Sequence, residues 1–210
     1  MIPYRIRRAV WADLPILEQL VVEAVRQLNA PDYTQAQIDS ALQHAYGVDA
    51  KLIEDGTYFV AEANGRILGC GGWSRRKSLY NGDEAYELPE KDVFLNPLYD
   101  AAKIRAMFVH PQAARQGIGR ALLLAAENAA RQAGFSRLEL LATRTGEPLY
   151  TAVGFAVQER LDVILPDDTP FAVARMEKEI GYVSRFTHHA DTTTFAQKAD
   201  KLPGRLLFGP

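Results

Sequence analysis

The chain has 210 residues, 48% hydrophobic and 24% charged, with 24 Lys plus Arg against 26 Asp plus Glu for a formal net charge of -2. That length supports one ordinary domain with a sizeable core, and the near-neutral balance excludes bulk attraction to nucleic acid or to a membrane surface. The composition excludes collagen-like, disordered and coiled-coil chains. The lone Cys70 excludes an intramolecular disulfide framework, and no Cys/His cluster has zinc-site spacing, so no metal is expected. No apolar run approaches the roughly 18 to 20 residues of a membrane span. The segment Met1-Ile2-Pro3-Tyr4-Arg5 lacks the apolar core of a signal peptide, which makes a cytoplasmic protein the expectation.

Tyr4 to Val10 alternates as a first strand. Asp13 is placed to cap the next segment, with Pro15 in its first turn, and Leu14, Leu17, Leu20, Val21, Ala24, Val25 and Leu28 mark one face of an amphipathic helix. A second helix follows Asp32-Tyr33-Thr34, striped by Ile38, Leu42 and Ala45 and ended by Gly47. Thr57 to Ala63 and Arg66 to Trp73 read as a hairpin about Asn64-Gly65. The glycines 69, 71 and 72 in its second strand suggest close backbone approach or a bulge.

Residues 74 to about 101 lack a steady period and read as a long loop. Lys103 to Val109 is a short strand stopped by His110-Pro111. Gly117 to Ala133 is a helix whose Ile118, Leu122, Ala125, Ala126, Ala129 and Ala133 share a face, with Gly134 past its end. Arg137 to Ala142 reads as a strand, Glu147 to Val153 as a short helix closed by Gly154, and Phe155 to Leu165 and Phe171 to Ile180 as two further strands. Beyond Ile180 the pattern fails, and residues 181–210 read as a tail outside the core fold.

Chemistry concentrates in one stretch, Ile104 to Leu123: a strand, a glycine-bearing loop, then a long helix. Glycines let successive backbone N–H groups point into one concavity, and the helix adds its own unpaired N–H groups and positive dipole end. Such a stretch is either an anion site suited to a phosphate or diphosphate, with Arg115 and Arg120 adding charge, or an ordinary loop with a glycine pair at a helix start. A P-loop needs Gly-Lys-Ser/Thr, which is absent, and a dinucleotide fingerprint needs a third glycine where Leu122 stands.

Val109-His110-Pro111, then Gln116-Gly117-Ile118-Gly119-Arg120-Ala121-Leu122-Leu123, Leu149-Tyr150, Gly154-Phe155 and the closing Arg175-Met176-Glu177-Lys178 stand in an order and at separations that resemble the GNAT superfamily of N-acetyltransferases. The resemblance covers about residues 4 to 180 and departs from the family's loop pattern at Ala114, where Gln or Arg is usual. It implies an α/β GNAT fold over residues 1–180. That fold is a central mixed, mostly antiparallel sheet of about six to seven strands with about four flanking helices and a V-shaped splay between two central strands.

The resemblance further implies that acetyl-CoA binds in that splay as a cosubstrate. Its pantetheine arm would pair with Met107, Phe108 and Val109, and its pyrophosphate would sit on the amides of Arg115, Gln116, Gly117, Ile118, Gly119 and Arg120. An N–H near Phe108 would receive the oxyanion, and Tyr150 would be the general acid for the leaving thiolate. The implied reaction moves an acyl group to a primary amine of a small molecule or a protein; the alternative is a non-catalytic acyl-CoA sensor. Oligomeric state, a homodimer included, is open.

No carboxylate stands on the strand before the loop. Glu62, Glu87 and Asp92 are loose candidates for the base, and His110 is read as structural. Cys70 reads as a small core residue, Trp11 and Trp73 as packing residues, and His188-His189 as weak evidence for metal. The carboxylates and aromatics between Tyr80 and Asp100 would suit a cationic amine at the cleft mouth, or would simply solvate and anchor a loop.

Overall fold

The computed structural model describes residues 3–77 and 94–181. Residues 78–93, with most of the acidic and aromatic loop, and residues 182–210 of the expected tail lie outside the described residues, as do the candidates Glu87, Asp92, His188 and His189.

Seven strands form one sheet in the order β1-β2-β3-β4-β5-β7-β6. They are β1 (Arg5–Arg8), β2 (Tyr58–Ala63), β3 (Arg66–Ser74), β4 (Ala102–Val109), β5 (Arg137–Thr143), β6 (Ala156–Ile164) and β7 (Pro170–Glu179). Every neighbouring pair is antiparallel except β4 and β5, which are parallel and pair only at Ala102 with Leu138 and Lys103 with Glu139. Beyond those residues the two strands diverge, which is the expected splay.

The described helices are α1 (Leu14–Leu28), α2 (Gln35–His44), α3 (Ala50–Glu54), α4 (Ile118–Gln132) and α5 (Glu147–Ala152). Alternation along β2 assigns the two faces of the sheet. Tyr58 and Val60 pack with Leu17, Leu20 and Val21 of α1, whereas Phe59 and Ala61 pack with Ile118 and Leu122 of α4. Side chains two apart on a strand share a face, so α1 and α4 cover opposite sides.

Four local readings change. Helix α2 starts where expected, with Thr34 and Gln37 in a capping box, but ends before Gly47. Helix α3, absent from the sequence reading, is a five-residue turn capped by the Asp49 side chain on the Lys51 N–H at 3.1 Å; it is too short to show a period. The buried face of α4 takes in Leu123, Glu127 and Ala130 in place of Ala125, Ala129 and Ala133. Glu127 tolerates burial because Lys178 Nζ and Arg131 Nη2 donate to its two oxygens at 2.6 and 2.5 Å. Trp73 is a core residue, set edge-on to Phe135 at 5.7 Å, but Trp11 is 57% exposed. Asp13 explains Trp11: its carboxylate is held by Arg7 at 2.7 and 2.9 Å and accepts from the Val10 N–H, which fixes a tight turn that leaves the indole outside.

Candidate active site

The glycines of β3 and the end of β4 are built around one irregularity. Cys70 pairs with Phe108 and Gly72 with Arg105, so Gly71 alone faces both Ala106 and Met107. This is a β-bulge, and Ala106 sits in it with φ +52°. A Cβ on Gly71 would lie 2.0 Å from Met107 Sδ, one on Gly72 2.5 Å from the Thr57 carbonyl oxygen, and one on Gly69 2.9 Å from the Phe108 carbonyl oxygen. The extra residue also slips the alternation of β4. Ile104 packs beneath α4, but Ala106 and Phe108 pack on the α1 side, leaving Met107 and Val109 toward α4.

The bulge is held from behind. The buried Tyr58 hydroxyl donates to the Ala106 carbonyl at 3.2 Å and lies within hydrogen-bond reach of the Cys70 sulfur, which also accepts from the Phe108 N–H. Burial pushes the Cys70 thiol up to about 12, which fits a packing residue and not a nucleophile. With the Phe108 N–H turned toward β3, strand alternation turns the Met107 N–H toward β5, where the cleft opens. The open donor next to the bulge is therefore that of Met107, adjacent to Phe108.

After Val109, His110 Nδ1 accepts from the Gln112 N–H at 3.2 Å and Nε2 lies 3.1 Å from Glu23 Oε2, so this imidazole shapes the turn. Arg115 and Gly117 then adopt left-handed conformations, φ +62° and +85°, and Gly117 caps α4. The Ala121 N–H makes the first helical bond, to the Gly117 carbonyl at 3.0 Å. The amides of Ile118, Gly119 and Arg120 precede it and have no acceptor within the helix. A Cβ on Gly119 would stand 3.0 Å from Leu149 and 3.5 Å from Val109, so glycine lets this first turn sit directly against β4 and α5.

A cavity of about 670 Å³ runs from this turn through the splay. Arg115, Gly117, Gly119 and Arg120 line one end, and Met107, Phe108, Val109 and Tyr150 line the middle. Gln116 and Ile118 do not line it: the Gln116 side chain bonds back to the Gln112 carbonyl, and Ile118 is buried in the core beside Ala61. Tyr150 is 8% exposed, rests edge-on against Phe155 at 5.9 Å, and burial raises its phenol well above the ordinary tyrosine value. It therefore stays protonated at neutral pH and can give a proton, not take one.

Among the described residues no Asp or Glu lines the cavity. Glu62 is removed as a base candidate. Arg5 and Arg7 donate to its oxygens at 3.0 and 2.5 Å, and Arg7 foremost holds its carboxyl below the usual range. Arg105, on β4, lies 3.2 Å from Asp49 at the start of α3.

Sequence reasoning missed the other end of the cavity, where Leu28, Tyr46, Val163, Leu165, Phe171 and Val173 come together from α1, the α2–α3 loop and the β6–β7 pair. Only the alternation of β6 and β7 hinted at it. Tyr33 ties these elements down: its hydroxyl donates to the Ala172 carbonyl at 2.6 Å and accepts from the Arg144 N–H at 2.8 Å, and its ring stacks on Phe171 at 4.2 Å.

Residues 54–157 match a family model described as an acetyltransferase (GNAT) domain. No curated protein matches the sequence. Among solved structures, a GCN5-related N-acetyltransferase from Rhodopseudomonas palustris is 18% identical with a TM-score of 0.62, covering 85% of this chain and 97% of its own. The PaiA N-acetyltransferase of Thermoplasma acidophilum, solved with coenzyme A, is 18% identical with a TM-score of 0.59 over 85% and 99%. YncA of Salmonella typhimurium, solved with its cofactor acetyl-CoA, is 18% identical with a TM-score of 0.56 over 85% and 94%. At these identities the likeness is one of fold. No described helix is long and apolar enough to cross a membrane. With the domain model matching from the end of α3 into β6, and the fold shared with all three neighbours, this chain carries a GNAT acetyltransferase domain.

Proposed function

We propose that the protein transfers an acetyl group from acetyl-CoA to a primary amine. The observation that carries this reading is the joining of two features in one cavity: a glycine-capped set of free amides at the start of α4, and the protonated Tyr150 beside the open edge of β4. Acetyl-CoA supplies the activated acyl group as a thioester. The amides of Arg115, Gly117, Gly119 and Arg120, residues that line the cavity, fit its pyrophosphate, and the two arginines add positive charge. Because β5 pairs with β4 only at Ala102 and Lys103, the backbone of Met107 to Val109 is left to receive an extended pantetheine arm as an added strand.

The Met107 N–H then faces the developing oxyanion, held in place by the bulge and by Tyr58. Tyr150 protonates the leaving thiolate, and the proton released from the attacking nitrogen as the intermediate collapses returns to the phenolate, so the phenol is restored and no net proton is consumed. The amine must lose a proton before it attacks, and no described carboxylate lines the cavity to take it. The walls here are largely apolar, which favours the neutral amine over its ammonium form. The titration of the amine itself then supplies the nucleophile, and kcat/KM should rise with pH toward the pKa of the free amine.

The test is thiol release from acetyl-CoA with a panel of amines, alongside Tyr150→Phe and a direct measurement of CoA binding. Turnover with an amine that collapses in the variant while CoA binding persists supports the reading. Tight CoA binding with no turnover for any amine contradicts it and leaves a sensor.

A further inference from the structure

Past the β4 bulge the cavity changes character. Tyr46 meets Phe108 at 5.9 Å and Phe171 at 5.8 Å, both edge-to-face, and Val163, Leu165 and Val173 complete the wall. Phe171 and Leu165 are only 3% and 5% exposed, so the wall is part of the core as well as of the cavity. Burial raises the Tyr46 phenol, which keeps that wall neutral. Asn29, which is 7% exposed, is among the residues that line the cavity.

We propose that this end binds the body of the acceptor, and that the acceptor is a primary amine carried on an apolar, ring-sized group. The proposal rests on the amine-acetylation reading. The bulge puts Phe108 on the face opposite Met107 and Val109, so a cofactor seated on the α4 side leaves the α1 side for the nucleophile. Rings stack edge-to-face in such walls at favourable distances. A second ammonium group would be buried there without a described carboxylate to pair with, at a steep desolvation cost. An acceptor built as a polycation therefore does not fit this end.

The experiment compares kcat/KM for 2-phenylethylamine, propylamine and putrescine with acetyl-CoA, then repeats the first with hexanoyl-CoA. The expected result is a preference for 2-phenylethylamine over propylamine of about 10-fold or more, as hydrophobic pockets discriminate by such factors, with putrescine poorest. Val163→Asp, at a half-buried wall position, should narrow or invert the gap between 2-phenylethylamine and putrescine. Equal rates for the three amines, or a putrescine preference, overturn the proposal. Faster turnover of hexanoyl-CoA with no ring preference also overturns it, by giving this end to the acyl chain. Calorimetric binding of N-acetyl-2-phenylethylamine to the CoA-loaded chain reads the pocket without turnover. Binding without catalysis supports the pocket while sinking the transferase reading, and no binding sinks the pocket.

Discussion

The two ends of the cavity are made of different material. The α4 end is main chain: amides released by a left-handed Gly117 and brought close by the missing side chain of Gly119. The acceptor end is side chain: aromatic and branched residues delivered by α1, the α2–α3 loop, β4, β6 and β7. A backbone site depends on a few conformations and tolerates changes of side chain around them. A side-chain site depends on which residues happen to converge. One end can therefore persist while the other is free to change its ligand.

The largest expected effect lies at the backbone end. Gly117→Glu forces a non-glycine residue into φ +85° and puts a negative charge in the cradle; acetyl-CoA affinity should fall by at least about 100-fold in calorimetry, since strain and charge both oppose binding. Next comes Tyr150→Phe, which keeps the ring and removes the proton; kcat should drop about 100-fold with CoA affinity unchanged, the usual scale for loss of a general acid. Tyr58→Phe releases the Ala106 carbonyl from its 3.2 Å bond. It touches no ligand, so kcat should fall by about 10-fold while both KM values hold, part of what an oxyanion donor contributes when it is lost outright.

Smaller effects sharpen the contrast. Arg115→Ala and Arg120→Ala should each raise the acetyl-CoA KM only a few-fold, because an exposed charge adds about 1 kcal/mol or less to a contact the amides already make. The smallest is a pH effect on stability. Burial raises the phenols of Tyr46, Tyr58 and Tyr150, so the folded chain keeps protons that the unfolded chain releases near pH 10. Their contribution is complete below about pH 10 and is lost as pH rises above it. Chemical denaturation from pH 8 to 11 should show stability level at first and then falling, with a shallower fall in Tyr58→Phe.

The same difference of material explains what the sequence disclosed. Gly117, Gly119 and the strand before them act locally, through dihedral angles and spacing, and the strand–turn–helix they form could be read from them directly. The glycines of β3 suggested close backbone approach or a bulge, and both occur: Gly69 and Gly72 lie against carbonyl oxygens, and Gly71 stands at the bulge. Tyr58 gave no sign of its role, since a tyrosine in a β-rich run reads as core. Tyr46 lies just past α2 and Phe171 on β7, 125 residues apart in the numbering, and only the sheet order makes them neighbours. Short range also failed where pairing overrode pattern: Glu127 is buried because Lys178 and Arg131 reach it, and Trp11 is exposed because Arg7 and Asp13 fix its turn.

The central claim is that the free amides of the α4 turn and the open edge of β4 together hold the cofactor. The direct test is an NMR titration of the isotope-labelled chain with coenzyme A, following backbone amides. The account predicts the largest shifts at Gly117, Gly119 and Arg120, joined by Met107 to Val109 and saturating together. Saturable binding that leaves those amides unmoved and shifts a different part of the sheet would contradict it.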